Sequence, residues 1–182
     1  EINRDLFIRT ICIIAVYNMV TAYGMRYGDS ILAGNAILMQ VHFLMANFLG
    51  GIGNAGTVVA GKAIGQKNRG LFNQSIYLTA VWGAVMAAVL TGLSALSQSP
   101  LIGIFTNLPD VLQAANDYFY WILLYPLLGF WGMGLFGFFV GATTAGPIRN
   151  SLFYSFAVFL FCLWLSIDKL GNSTIWLVFK LF

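Results

Sequence analysis

The sequence predicts an all-α polytopic membrane protein, a single bundle of about six transmembrane helices over residues 1–182. Hydrophobic residues make up 59% of the chain and charged residues only 8%, against about a quarter charged in a typical soluble domain. The mean hydropathy is +0.82. The apolar runs are unbroken, whereas strands of a membrane barrel alternate with a period of two. We therefore expect the bilayer to be the solvent for most of the surface.

The apolar runs divide into spans of the length that a bilayer requires, since a helix needs about 20 residues to cross a core about 30 Å thick. The second run is longer than this, so we expect it to be tilted or kinked, with its glycines between positions 50 and 56 as candidate kink points. The sixth run begins but is not completed, and we expect the chain to be a fragment. The predicted spans are 6–23, 31–61, 71–96, 111–141, 152–167 and 174–182.

Turns and helix breaks separate these spans. The polar runs at 24–29 and 65–70 are predicted loops, and Pro109 is expected in the first turn of the fourth span after a short interfacial segment at 102–107. Pro126 lies inside the fourth span, where its missing backbone donor should bend the helix. Further turns are predicted at 145–149 and 168–172.

The distribution of basic residues predicts an orientation. With the amino end in the cytoplasm, six basic residues fall on the inner side and two on the outer side, as the positive-inside rule requires. Lys180, at the far end of the sixth span, heads back toward the cytoplasm. We therefore expect a multi-pass protein of the inner cell membrane. The inner residues are Arg4, Arg9, Lys62, Lys67, Arg69 and Arg149, and the outer ones are Arg26 and Lys169.

Polar residues inside the second span are the first candidates for a functional site. Gln40, Asn47 and Asn54 are seven residues apart and share one face of the helix, which we call the polar stripe. Amides in a lipid span are unfavourable unless they face protein or water. The polar stripe therefore either bonds a neighbouring helix or lines a hydrated cavity. His42, elsewhere on the same helix, is either a structural histidine or a proton carrier.

The first span adds Tyr17, Asn18 and Thr21 as candidate residues of a substrate cavity. Arg9, near the cytoplasmic end of that span, is expected to extend its charge toward the lipid headgroups. In the fourth span, the small-residue spacing of Gly134, Gly137 and Gly141 predicts close helix packing.

The sequence contains no pattern that predicts an enzyme, a metal site or a cofactor. No acidic residue lies in the middle of a complete span, and no Ser/His/Asp set or zinc-binding spacing is present. Cys12 and Cys162 both fall inside apolar runs and share no metal-ligand spacing. The segment 56–63 nearly matches a phosphate-binding loop, but Ala63 replaces the hydroxyl residue that would hold Mg²⁺. No feature indicates nucleic-acid binding.

Several short motifs, weak singly but specific in their order and spacing, resemble a known family over essentially the whole chain. They are DLFIRT at 5–10, AGNAIL at 33–38, GKAIG at 61–65, Pro126 with Gly129, GAT at 141–143 and RNS at 149–151. The chain resembles the carboxy-terminal half of multidrug and toxic-compound extrusion (MATE) transporters, in the branch of DNA-damage-inducible protein F.

The resemblance implies one lobe of a twelve-helix transporter, with helices seven to twelve present and the last truncated. It implies a partner in the missing amino-terminal lobe, across a cavity open alternately to each side of the membrane. The implied function is antiport: protons or Na⁺ move in, and drugs or other small amphiphilic cations move out.

The chain departs from the family at positions where this branch often carries acidic residues, which here are Gly50, Thr57 and Phe136. A carboxylate is the natural proton or Na⁺ carrier, so any coupling residues are expected in the missing lobe. Two alternatives stay open. A lipid-linked saccharide flippase of the same superfamily would need more basic residues than these spans hold, and a non-transporting membrane scaffold would need no carboxylates.

Overall fold

The computed structural model describes residues 2–144, 146–166 and 171–182, and these form a helical bundle. Five of the described helices are long and apolar enough to cross a membrane. The prediction of an all-α polytopic membrane bundle is confirmed. The helices of the described residues are α1 (Ile2–Gly24), α2 (Asp29–Gly65), α3 (Arg69–Leu96), α4 (Gln98–Gly103), α5 (Pro109–Tyr118), α6 (Tyr120–Gly141), α7 (Gly146–Ser166) and α8 (Asn172–Leu181), with a 3₁₀ turn at Met25–Tyr27.

The long second span forms one helix of 37 residues. At a rise of 1.5 Å per residue, α2 is about 55 Å long, well over the thickness of a bilayer core. Its helical backbone continues through all the glycines between 50 and 56. The loop to α3 is shorter than predicted, because Asn68 caps α3 by accepting a hydrogen bond from the Leu71 N–H at 3.0 Å.

The span predicted over 111–141 is two helices. α5 and α6 meet at Phe119, whose N–H donates to the Asn116 carbonyl three residues back instead of four. Phe119 is completely buried. α5 also packs closely on α2, since a Cβ on Gly34 would lie 3.1 Å from the Ala115 nitrogen. The short segment predicted at 102–107 is displaced too, with α4 starting at Gln98.

Helices α2, α3 and α6 form one tightly packed group. At its centre the backbones of α2 and α6 touch through Gly53, Gly137 and Gly141, which we call the glycine seam. A Cβ on Gly53 would lie 2.6 Å from the Met133 carbonyl oxygen, and one on Gly137 would overlap the Gly53 carbonyl. The packing prediction is confirmed for Gly137 and Gly141, whereas Gly134 makes only ordinary contact with Thr79 on α3.

Helices α1, α7 and α8 form a second group, which makes few contacts with α6. A buried hydrogen-bond cluster ties α8 to α2. In this cluster Asn35 and Asn172 exchange hydrogen bonds of 2.7 and 3.0 Å, and the Trp176 indole donates to Asn35 at 2.9 Å. The two groups also share one hydrophobic core, which includes Val16 of α1, Leu38 of α2 and Phe159 of α7, and a cavity remains beside it. Of the predicted turns, residues 168–170 and Ala145 lie outside the described residues.

Candidate functional site

A cavity of about 460 Å³ lies between the two helix groups. Its wall consists mainly of residues from α1, α6 and α7, completed by His42 of α2 and the end of α8. A volume of this size falls in the range of small-molecule sites, which are mostly apolar with a few placed polar groups. Here the polar lining residues are Arg9, Tyr17, His42, Tyr125, Ser151, Ser155 and Lys180.

Lys180 brings a positive charge into the cavity wall. Its Nζ is buried and has no hydrogen-bond partner among the described residues. Three aromatic rings surround it instead, with centroids 4.8 Å (Tyr125), 5.3 Å (Phe179) and 5.8 Å (Trp176) from Nζ. Aromatic faces attract a cation, by about 2 kcal/mol when the contact is desolvated, but they leave its three N–H donors unused.

His42 lies beside this group on the opposite helix. The residue is buried, and its ring centroid is 4.0 Å from that of Tyr125 and 5.0 Å from that of Phe179. Its Nδ1 has no hydrogen-bond partner among the described residues. The structure thus places the predicted His42 in the cavity wall, next to an unpartnered ammonium.

Arg9 contributes a second positive charge to the wall. Its guanidinium carbon lies 4.3 Å from the centroid of Phe136, one of the positions where acidic residues were expected from the resemblance. Arg9 is half-buried, and its guanidinium packs on this aromatic face near the ends of α1 and α6. Tyr17 is one of the predicted cavity residues and lies on the same helix about two turns further along.

No carboxylate lines this cavity in the described part of the chain. The nearest candidate in sequence, Asp5, is already neutralised by Arg149 at 3.1 Å and Arg4 at 3.6 Å. Thr57, another position of an expected acid, bonds the Gly53 carbonyl of its own helix at 3.1 Å. The wall is therefore cationic, aromatic and apolar.

Five of the predicted cavity residues lie outside this cavity, on exposed faces of α1 and α2. Thr21 and Asn47 bond carbonyls of their own helices, at 3.1 and 2.9 Å. Within the described residues, the polar stripe makes no hydrogen bond to a neighbouring helix. The five are Asn18, Thr21, Gln40, Asn47 and Asn54.

Pro126 is not among the residues that line the cavity. It is buried within α6, which continues through it. The preceding residue, Tyr125, contacts both His42 and Lys180. The described residues contain no group of three His, Cys, Asp or Glu side chains that could hold a metal.

The sequence interpretation missed Tyr125 and the inward position of Lys180. A signal was present: Trp176 and Lys180 are four residues apart on a short apolar helix, so they share a face. A lone lysine there could be assigned to the headgroups or to the interior only once the helix neighbours were known.

The described residues form a polytopic membrane bundle with a cavity between two helix groups. The MatE family model matches residues 6–168, so the chain belongs to the MatE family. It is 30% identical over 187 aligned positions to DNA damage-inducible protein F of Escherichia coli (strain K12). That alignment covers all of this chain but 39% of the relative, so the chain spans well under half of the relative's length. Family members are transporters and not enzymes.

Proposed function

We propose that this chain is one lobe of a secondary active transporter that exports amphiphilic compounds by alternating access, driven by protons or Na⁺ moving inward. The cavity between the two helix groups is the observation that carries the proposal, because it combines an apolar wall with a few converging polar side chains. Membership of the MatE family supports the transport function.

The exposed polar stripe supports a partner lobe. Gln40, Asn47 and Asn54 are exposed on a helix that would otherwise face lipid, where amides are unfavourable. We assign them, together with Asn18 and Thr21, to the wall of a water-filled cleft against an amino-terminal lobe. The binding site then has two parts, the cleft and the cavity inside this lobe.

The distribution of positive charge supports a cytoplasmic amino end in the inner cell membrane. The loop at 66–68, with Lys67, connects the end of α2 to the start of α3, and Arg149 lies in the first turn of α7. In a chain with α1 starting inside, both positions fall on the cytoplasmic side.

Ion coupling requires a group whose charge changes during the cycle. Since no carboxylate lines the cavity of the described residues, we assign proton or Na⁺ coupling to the amino-terminal lobe. A cationic drug would meet Lys180 and Arg9 in this cavity, so a cationic substrate is better placed in the cleft.

One specific observation supports a second candidate function, a lipid-linked saccharide flippase. Arg9 and Lys180 come from opposite ends of the chain yet line the same cavity. The rings that hold the two cations, Phe136 and Tyr125, lie about 16 Å apart along α6. The two cations can therefore contact separate parts of a phosphate-containing headgroup, although the spans hold few basic residues in total.

Transport by the full-length protein in proteoliposomes tests the proposal. An imposed pH or Na⁺ gradient should drive export of a fluorescent amphiphilic dye, and a protonophore or Na⁺ ionophore should abolish it. If neither gradient moves any dye, and a labelled lipid-linked saccharide crosses the bilayer instead, the flippase replaces the antiporter.

A further inference from the structure

The cavity wall contains polar side chains that have no hydrogen-bond partner among the described residues and could bind an anionic group. The Lys180 ammonium is buried without a hydrogen-bond partner, and the His42 Nδ1 beside it is also without one. A buried ammonium without a hydrogen-bond acceptor is unfavourable, so the amine either loses its proton or gains a partner, and an anionic ligand would supply that partner.

The missing partner is not an acidic side chain of the described residues. Asp5 is held by Arg149 and Arg4 outside the cavity, and the cavity lining contains no carboxylate. Aromatic rings at 4.8–5.8 Å partly stabilise the ammonium but cannot accept strong hydrogen bonds from it.

The remaining wall describes the rest of the ligand. Arg9 supplies a second cation, and Ser151 and Ser155 on α7 supply hydroxyl donors. Most of the other lining side chains are Phe, Leu, Ile or Met, which suit an apolar body. The volume of about 460 Å³ is enough for a headgroup and part of an apolar tail. Because most of the wall is apolar, the cavity does not select long polar chains.

We infer that the cavity is a subsite for the anionic headgroup of an amphiphile, with Lys180 as the direct partner of a carboxylate or phosphate and His42 as a neighbouring polar contact. The inference rests on the proposed transport function and names a substrate class for this lobe. The headgroup can belong to an exported solute or to an anionic lipid of the bilayer, since both present the same chemistry to Lys180.

Equilibrium binding to the full-length protein in phosphatidylcholine nanodiscs tests the subsite without any ion gradient. The probes are dansyl-labelled undecanoate and its primary amide, which differ only in the charge of the headgroup. The wild-type protein should bind the carboxylate about tenfold more tightly than the amide, a difference of about 1.4 kcal/mol. Equal affinities would overturn the inference.

Substitutions assign that difference to one side chain. Lys180→Met keeps the length of the apolar stem, and it should weaken carboxylate binding to the level of the amide while leaving amide binding unchanged. Lys180→Arg should restore the preference. Lys62→Met, which removes an exposed lysine of α2 outside the cavity, should change neither affinity. An equal loss for both probes in Lys180→Met would show that Lys180 only packs, and would overturn the inference.

Two further arms separate the sources and the two proposals. Adding phosphatidylglycerol to the nanodiscs should displace the carboxylate probe if a bilayer lipid is the natural occupant, and should leave its binding unchanged if a solute is. Charge-selective binding without gradient-driven export would leave the subsite standing and remove the transport function. Gradient-driven export by a protein that binds both probes equally would leave the transport function standing and overturn the subsite.

Discussion

The Arg149 guanidinium donates a hydrogen bond to the Asp5 carboxylate, with 3.1 Å between Nη1 and Oδ1, and so joins the starts of α1 and α7 across 144 positions of the chain. Asp5 is buried, while the Arg149 side chain is 29% exposed. The pair is therefore screened less than a surface ion pair and desolvated less than a fully buried one.

Removing either member of this pair should destabilise the protein. Arg149→Met leaves the buried Asp5 with Arg4 alone, at 3.6 Å, and should lower the free energy of unfolding by about 1–3 kcal/mol. Thermal melting of the full-length protein in detergent measures this, with Arg26→Met at an exposed position as the matched control. In a double-mutant cycle, additive effects of Asp5→Asn and Arg149→Met would contradict direct coupling.

The glycine seam should not tolerate even one methyl group. Gly137→Ala places a Cβ on the Gly53 carbonyl oxygen, so the helices must separate, at a cost of about 1–3 kcal/mol. Gly92→Ala is the control, since its added Cβ meets nothing within 4 Å, and it should leave the melting temperature unchanged or raise it. Similar melting temperatures for the two variants would show that the helices are not in contact here.

The buried amide cluster should contribute measurably to stability. Asn35→Leu removes the acceptor of Trp176 and both bonds to Asn172, and should cost about 1–3 kcal/mol. Asn73→Leu, at an exposed position of α3, is the control. Because Asn172→Leu breaks two of the same three bonds, the double variant should be little worse than Asn35→Leu alone, and fully additive losses would count against the cluster.

The polar stripe should be reachable by water-soluble reagents if it lines a cleft. In a background with Cys12 and Cys162 replaced by serine, Asn47→Cys and Asn54→Cys should react with a hydrophilic maleimide in intact membranes. Val89→Cys, at an exposed apolar position of α3, should not. No labelling of Asn47→Cys and Asn54→Cys would place the stripe away from water, and labelling of Val89→Cys as well would show that the reagent does not distinguish a cleft from the lipid face.

The orientation can be tested with the same reagents. Lys67→Cys, in the loop between α2 and α3, should be labelled by an impermeant maleimide in inside-out vesicles and protected in intact cells. Arg26→Cys, in the turn between α1 and α2, should behave in the opposite way. A reversed pattern would invert the assignment of the amino end.

The helical bundle could be predicted because it depends on the length of apolar runs, which the bilayer imposes directly. The break at Phe119 could not. Phe119 lies in a continuous run of large apolar residues, and the division there depends on how α5 packs against Gly34 of α2. Such a contact between distant segments leaves no local trace in the sequence.

The site was predictable only in part, for a related reason. Tyr17 and His42 reach the cavity, whereas Asn18, one residue further, is exposed, because a single step rotates the side chain by about 100° around the helix. Composition identifies the polar residues of a span. Whether each side chain points into the cavity or away from it depends on how neighbouring helices such as α8 pack. Lys180 shows this most clearly. Its charge alone indicates a position near the lipid headgroups, whereas its aromatic neighbours hold the ammonium in the cavity wall.

The contact between Gly53 and Gly137 also limits how this lobe can evolve. The Gly53 carbonyl occupies the space of a Cβ at Gly137, and the Met133 carbonyl occupies the space of a Cβ at Gly53. Neither position can therefore accept a larger residue while the two helices stay where they are. Cavity residues such as Lys180 and His42 are free of that restriction, because they border empty volume. A single substitution can therefore change what the cavity binds, whereas a larger residue in the seam requires α2 and α6 to move apart.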